Sequence, residues 1–366
     1  MATGFCPYLL EHIGEVTQSA NPMWKVQPPG LLNMLLTAGN PLAVKYDQGD
    51  GHRRDVQVKY RAPFTVAQTD TSLSCDQILT PAYTETSVTV GNTRQIAFVI
   101  PDSTMERYCS DASNSVTLGK PATSFMNEEI MGTIMSSANA LLQAVTQDIW
   151  ALLTWGFNLV FGSNAVCPIN LPQNATTQTL NEGMTKILSD YGKTYLTGRP
   201  QIVGSGLIYN YFLQQFAKST DTFGLNSKIM AGQTDFYFDN YAETSLGTNR
   251  FAVFEPGSIQ IVKMLHYRGF QAGARPGGSF FATLPLPIQV ADQVVPYEVD
   301  MQLRYVDCPT TFTDAYSGAT STVTKGWQVI LSTNFGLFQI PTFDAYRVDD
   351  SRYRVNGALR YAATNN

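Results

Sequence analysis

Three histidines, His12, His52 and His266, are the first candidates for acid–base or metal chemistry, because an unperturbed imidazole titrates near neutral pH. Each stands alone in sequence, without H-E-x-x-H or H-x-H spacing, so none has local support as a metal ligand. His266 follows a strand-like run and reads as a strand-end residue. The five cysteines (Cys6, Cys75, Cys109, Cys167, Cys308) are odd in number and scattered, with no C-x-x-C pair. That argues against a disulfide framework and a zinc site, and leaves single thiols of an intracellular chain. "GSG" at 204–206 is flanked by Val203 and Leu207, so it is not a G-x-S-x-G nucleophile elbow but a helix entrance. "GARPGG" at 273–278 lacks the Lys-Ser/Thr of a phosphate loop and precedes a strand, so it reads as a flexible turn. Of the adjacent acid pairs, Glu128-Glu129 suits a helix start and Asp349-Asp350 a solvated end. No catalytic, cofactor-binding or metal-ligating residue is assigned, no cofactor is expected, and the chain is not expected to be an enzyme.

The elements around these residues follow from their periodicities. Residues 1–45 mix Pro, Gly and apolar clusters, with one short helix in "LLNMLLTAG" (31–39), and read as an arm that must lean on something else. "DVQVKYRAPFTV" (55–66) and "YTETSVTVGNTRQIAFVI" (83–100) alternate as strands. Gly91-Asn92 could make a two-residue hairpin turn, or mark a kink in one long return strand. Region 46–100 is then a long β-excursion with few core residues of its own. From Met126 the apolar residues Ile130, Ile134, Ala138, Leu141, Val145, Ile149 and Leu152 recur at spacings of three and four, predicting one amphipathic helix. Ser124 or Asn127 can cap its start, and Gly156 or Gly162 can end it. At about 1.5 Å per residue it is a rod of roughly 45 Å. Residues 178–300 alternate helix and strand: a helix over 178–191, the strand "PQIVGSG", a helix capped by Ser205, then "KIMAGQTDFYFD". "FAVFEPGSIQIVKML" (251–265) reads as strand, corner and strand, because Glu255-Pro256-Gly257 interrupts two alternating runs. Two closing runs, 297–309 and 326–341, can pair across the Thr/Ser/Gly-rich 310–325 as a hairpin packed on the long helix.

Composition narrows the function classes. Charged residues make up 14%, against about 25% in an average soluble domain. Tyr (18), Phe (20) and Met (11) are plentiful. Interfaces are depleted in Lys, Glu and Asp and enriched in aromatics and Met, so much of this surface is expected to be covered by other subunits. A secreted or low-charge β-rich monomer is the alternative. Net charge is −5 and no dense Lys/Arg run exists, which argues against sequence-reading of nucleic acid. The N-terminus lacks a basic n-region and long apolar h-region, so no signal peptide is expected. "IWALLTWGFNLVF" (149–161) is too short to cross a bilayer. The Asn174 sequon reads as chance.

The order of these parts resembles the major capsid protein fold of tailed bacteriophages, shared with encapsulin shells. The extended loop 46–100, the spine helix 124–156, and the lobe with "RPQIVGSGLIYNYFLQQF" and "RFAVFEPGSIQIVKML" carry the likeness. It implies an α+β fold with an N-terminal arm (1–45), an extended β loop (46–118), and a spine helix opening a peripheral domain (119–177). An axial α/β domain (178–296) and returning peripheral strands (297–366) complete it. The resemblance further implies a structural shell subunit, assembling with itself into hexamers and pentamers of an icosahedral capsid around double-stranded DNA. Scaffolding, portal and decoration proteins are its implied partners, DNA is enclosed without sequence-specific binding, and no membrane is involved. The implied location is the virion, assembled in the host bacterial cytoplasm. An encapsulin-like shell around protein cargo, or an α+β enzyme or ligand-binding protein with a dispersed site, are the alternatives. Some family members crosslink a loop Lys to a neighbour's Asn; Lys45, Lys59 and Asn356 give no basis for a pairing, so no crosslink is expected.

Overall fold

A computed structural model describes residues 28–37, 55–61, 83–106, 125–155, 157–158, 166–171, 177–193, 198–217, 234–265, 273–275, 279–290, 293–306, 310–313, 320–323, 325–341, 343–346 and 352–364. The chain divides into two compact units, one built on Asn92–Val145 and Lys263–Phe335, the other on Pro29–Gly91, Thr146–Val262 and Gly336–Asn366.

The first unit carries most of a six-stranded sheet. Strands β10 (Gly273–Arg275), β11 (Ser279–Val290), β12 (Gln293–Val306), β15 (Gly326–Gln339) and β3 (Asn92–Pro101) lie in that order, and β9 (Ile259–Met264) also pairs β15. The registers align apolar rows across the strands: Ala282–Met301–Leu331–Ile96, and Phe280–Leu303–Val329–Phe98. Such directly opposed pairs are the unit of sheet stabilisation. Pro285 and Pro287, which donate no ladder bond, lie where β10 no longer flanks β11, since β10 reaches only Ser279–Phe281. The closing hairpin forms as expected, β12 against β15 with Val306 opposite Gly326. Its connection carries a second ribbon, β13 (Thr310–Thr313) on β14 (Thr320–Val323).

The second unit is an α/β lobe. Its five-stranded sheet runs β5 (Val166–Asn170), β18 (Ala358–Thr364), β8 (Arg250–Phe254), β6 (Gln201–Gly204), β7 (Asp235–Phe238). Helices α3 (Thr177–Lys193) and α4 (Gly206–Ala217) bury Met184, Ile187, Ile208 and Tyr211 with Ile202, Phe251, Val253 and Tyr361 in one core. Phe254 lies opposite this face with Trp150, at 6.3 Å between ring centroids, and Trp155 at 6.1 Å. Two smaller helices, α1 (Gly30–Thr37) and α5 (Tyr241–Leu246), belong to this unit. So do β1 (Asp55–Arg61) paired with β2 (Tyr83–Thr89), and the small sheet of β16 (Phe343–Tyr346), β17 (Arg352–Val355) and β4 (Phe157–Asn158).

The long helix α2 is continuous from Phe125 to Leu152. Ile130, Ile134, Ala138, Leu141, Val145 and Ile149 are all buried, as their spacing predicts, whereas Leu152, the last of the predicted stripe, is exposed where the helix ends. Its end falls before Gly156, for a side-chain reason. Gln339 accepts from the Thr154 amide (2.9 Å) and donates to the Thr154 carbonyl (2.8 Å), so its amide takes over the backbone groups a further turn would use.

Of the two readings open at Gly91-Asn92 the kink holds, not the hairpin: β2 pairs β1, β3 pairs β15, and the chain passes between them with a break at Val90-Gly91. Among its described residues the excursion buries few side chains, as expected: Val58, Tyr60, Val88 and Val90 are the core of the ribbon and its exit, and Tyr60 meets Phe338 at 5.7 Å. Two expectations are corrected. The two halves of 251–265 do not share a sheet: β8 lies in the lobe's sheet, while β9 joins β15. Residues 358–364, grouped by sequence with the returning strands, instead sit between β5 and β8 in the lobe.

Candidate functional site

The corner after β8 is a joint. Pro256 fixes φ, Gly257 has φ 77°, and the Ser258 amide donates to the Glu255 carbonyl at 3.1 Å, the pattern of a type II turn. A second turn backs onto it. The Glu255 amide donates to the Gly357 carbonyl at 2.8 Å, and Ser258 Oγ lies 2.8 Å from the Glu255 carbonyl and 3.2 Å from that of Gly357. Gly357 also has φ 77°, and a Cβ there would stand 2.2 Å from Ser258 Cβ. Asn356 Nδ2 reaches Thr154 Oγ1 at 3.0 Å, and the Ser258 carbonyl accepts from the Ile340 amide at 3.0 Å. With its hydroxyl proton held by backbone carbonyls, Ser258 is no nucleophile. The cluster fixes where the chain leaves the lobe's sheet for β9.

Asp239 forms a second joint. Its buried carboxylate accepts from the Leu31 amide in the first turn of α1 (2.8 Å), the Tyr241 amide at the start of α5 (2.8 Å), and Trp150 Nε1 near the end of α2 (3.3 Å). Burial pushes its pKa above the ordinary value, and the three hydrogen bonds pull it partly back. With its oxygens taken up by two helix-start amides and the Trp150 indole, the carboxyl group holds helix ends together.

The sequence candidates for chemistry are not brought together among the described residues. His12, His52, His266, Cys6, Cys75, Cys109, Cys308, Ser124, Asn174, Asp349, Asp350 and Lys45 lie outside the described residues. Ser205 leads into α4, its carbonyl accepting from the Tyr209 amide at 3.1 Å. Residues 273–275 of "GARPGG" form β10. Lys59 pairs Glu85 across the β1–β2 ribbon. Cys167 is buried, and burial, then the Asp190 charge, push its thiol up to about 12, which makes it inert at neutral pH. Among the described residues no group of three metal-binding side chains converges, and no helix is long and apolar enough to cross a membrane. Sequence reading missed Lys263, whose ammonium lies 3.9 Å over the Tyr297 ring. Burial lowers its pKa to about 8 against the opposing pull of Glu298. The signal was a lone Lys in an apolar alternating run, "SIQIVKML".

One surface feature is built by composition. Helix α4, "GLIYNYFLQQFA", contains no charged residue. Its outward Tyr209 (39% exposed) and Leu213 (46%) accompany Phe238 (45%) of β7, the edge strand, with Tyr209 and Phe238 rings 5.4 Å apart. These are three of the four large exposed hydrophobic residues among those described, which concentrates the lobe's exposed apolar side chains in one patch.

No family model and no curated protein matches the chain. Solved structures similar to it include the capsid asymmetric unit of cyanophage A-1(L), at 10% identity over 94% of each chain with a TM-score of 0.46. A structure from Mycobacterium phage Adephagia is similar at 9% identity, covering 96% of this chain and 98% of that one, with a TM-score of 0.45. A virus-like particle from Pyrococcus furiosus is similar at 8% identity over 90% and 92%, with a TM-score of 0.37.

Proposed function

We propose that this chain is a structural shell subunit, a major capsid protein of the tailed-bacteriophage type, that assembles with itself into hexamers and pentamers of an icosahedral capsid enclosing double-stranded DNA. The observation that carries the reading is the order of its elements. A two-stranded ribbon far longer in sequence than in paired length (Asp55–Arg61 with Tyr83–Thr89) precedes a 28-residue spine helix. An α/β lobe and a long closing hairpin follow. Two physical features support it. The charged fraction of 14% suits a chain whose surface is spent on interfaces. The buried polar clusters at Ser258 and Asp239 are joints between elements, consumed by backbone groups.

On this reading the lobe is the axial domain, and the spine helix with the closing hairpin belongs to the peripheral domain. Genome contact is weak and without sequence specificity, in keeping with a net charge of −5. Scaffolding, portal and decoration proteins are the partners such a shell calls for. Electron microscopy and light scattering of the purified chain, alone and with a co-expressed scaffold, test the proposal. Rings or closed shells are the expected result; a monomer at every concentration and salt overturns it.

A further inference from the structure

Two arginines share one face of the lobe's sheet, with no ion pair to an acid among the described residues. In the β18–β8 register Arg360 faces Ala252 and Ala362 faces Arg250, so the arginines occupy one diagonal and the alanines the other, on the same face. Arg250 donates from Nη1 to the Leu246 carbonyl at 2.9 Å, which holds its fork in place. Arg360 lies over Trp155, its Cζ 5.4 Å from the ring centroid. Its Nε is sealed from solvent and has no hydrogen-bond partner. Among the described residues of this unit, the ion pairs join other side chains: Lys59 with Glu85, Lys186 with Asp190, Arg199 with Asp235. Burial, then the charge of Arg250, depress the Arg360 pKa, as expected where like charges crowd without relief.

A guanidinium presents a planar fork of donors that fits an oxyanion. We propose that Arg250 and Arg360 form a receptor for one carboxylate supplied by a second copy of this chain. Resting on the shell reading, the inference names a contact that its assembly uses. A carboxylate is favoured over nucleic-acid phosphate by the surroundings. Phosphate binding draws on a tract of positive charge, and this sequence has no dense Lys/Arg run. The chain does carry 29 acidic residues against 24 basic ones, so each copy has acids to offer.

Two measurements test it. The unassembled chain is titrated with sodium acetate against sodium chloride at matched ionic strength, reading tryptophan fluorescence, with Trp155→Phe identifying the reporter beside Arg360. A saturable acetate response is expected in the natural chain and in Arg199→Gln, whose arginine already has Asp235. It is expected to vanish in Arg250→Gln and Arg360→Gln. In assembly, each of these two variants should need about tenfold more protein than the natural chain, while Arg199→Gln should not. If Arg360→Gln fails to fold, Arg250→Gln carries the test, because it removes the same charge from the less buried first residue of β8. No acetate response, or unchanged assembly in both variants, overturns the proposal. Normal assembly with less retained nucleic acid also overturns it and assigns the pair to phosphate. If the natural chain never assembles, the shell reading fails, while the acetate titration still decides the arginine receptor.

Discussion

At the residue scale, stability concentrates where backbone turns are stacked on each other. Gly257 and Gly357 share a φ of 77°, a conformation that costs other L-residues about 1–2 kcal/mol. At Gly357 a Cβ would in addition stand 2.2 Å from Ser258 Cβ. Gly357→Ala is therefore expected to lower the thermal midpoint by more than the backbone conformation alone would cost. Gly257→Val, with a β-branched side chain, should disturb the corner and leave the helical circular dichroism of α2 in place. An unchanged midpoint in Gly357→Ala would show that the two turns are not packed on each other. Asp239 gives a pH prediction. Its folded pKa is raised, so the folded state holds the proton more tightly than the unfolded chain. The contribution of this group to stability is then greatest below the unfolded value and falls as pH rises through the folded value. Asp239→Asn should remove that fall, and should also cost about 1–3 kcal/mol, because one amide group cannot accept all three hydrogen bonds. Urea midpoints between weakly acidic and neutral pH measure both effects.

At the element scale, the spine helix is the test of packing. Leu141 is 2% exposed in the middle of the buried stripe, so Leu141→Ala should cost about 2–5 kcal/mol through lost burial and the cavity left behind. Leu141→Asp should abolish folded protein, and its tolerance would mean that the stripe is not a core surface. The ribbon has few buried residues, and those it has pack within the chain. Val58, Tyr60, Val88 and Val90 turn inward in their own chain, and Lys59, Glu85 and Thr89 line the other face. Val58→Asp should accordingly lower the midpoint of the unassembled chain. Period alone made α2, α3 and α4 legible, because each repeats its apolar spacing for three turns or more. It also placed the β12–β15 hairpin, whose alternation is sustained across both strands. Period could not say which strands pair. Val90-Gly91 reads equally as a turn or a kink, and only the partnership of β3 with β15 decides it. The place of β18 was hidden for the same reason, since seven alternating residues near the chain end carry no mark of a partner in β5 or β8.

At the scale of the whole molecule, function is read from what the surface lacks. The low charged fraction and the uncharged α4 were visible in composition, and the Tyr209–Leu213–Phe238 patch is their structural expression. The arginine pair was not visible, because Arg250 and Arg360 become neighbours only through strand pairing. On the proposed shell reading, these properties set opposite terms for assembly. Each subunit brings a net charge of −5, so copies repel at long range. Raising salt from about 0.01 M to about 0.15 M shortens the screening length from about 30 Å to about 8 Å and removes most of that repulsion. The apolar contacts are insensitive to screening but weaken on cooling. Assembly followed by light scattering should therefore increase over this salt range at room temperature and decrease when the same sample is chilled. Scattering that falls with added salt would place ionic contacts, such as the arginine–carboxylate pair, ahead of apolar burial as the main drive to association, and the charge-poor surface would need another explanation.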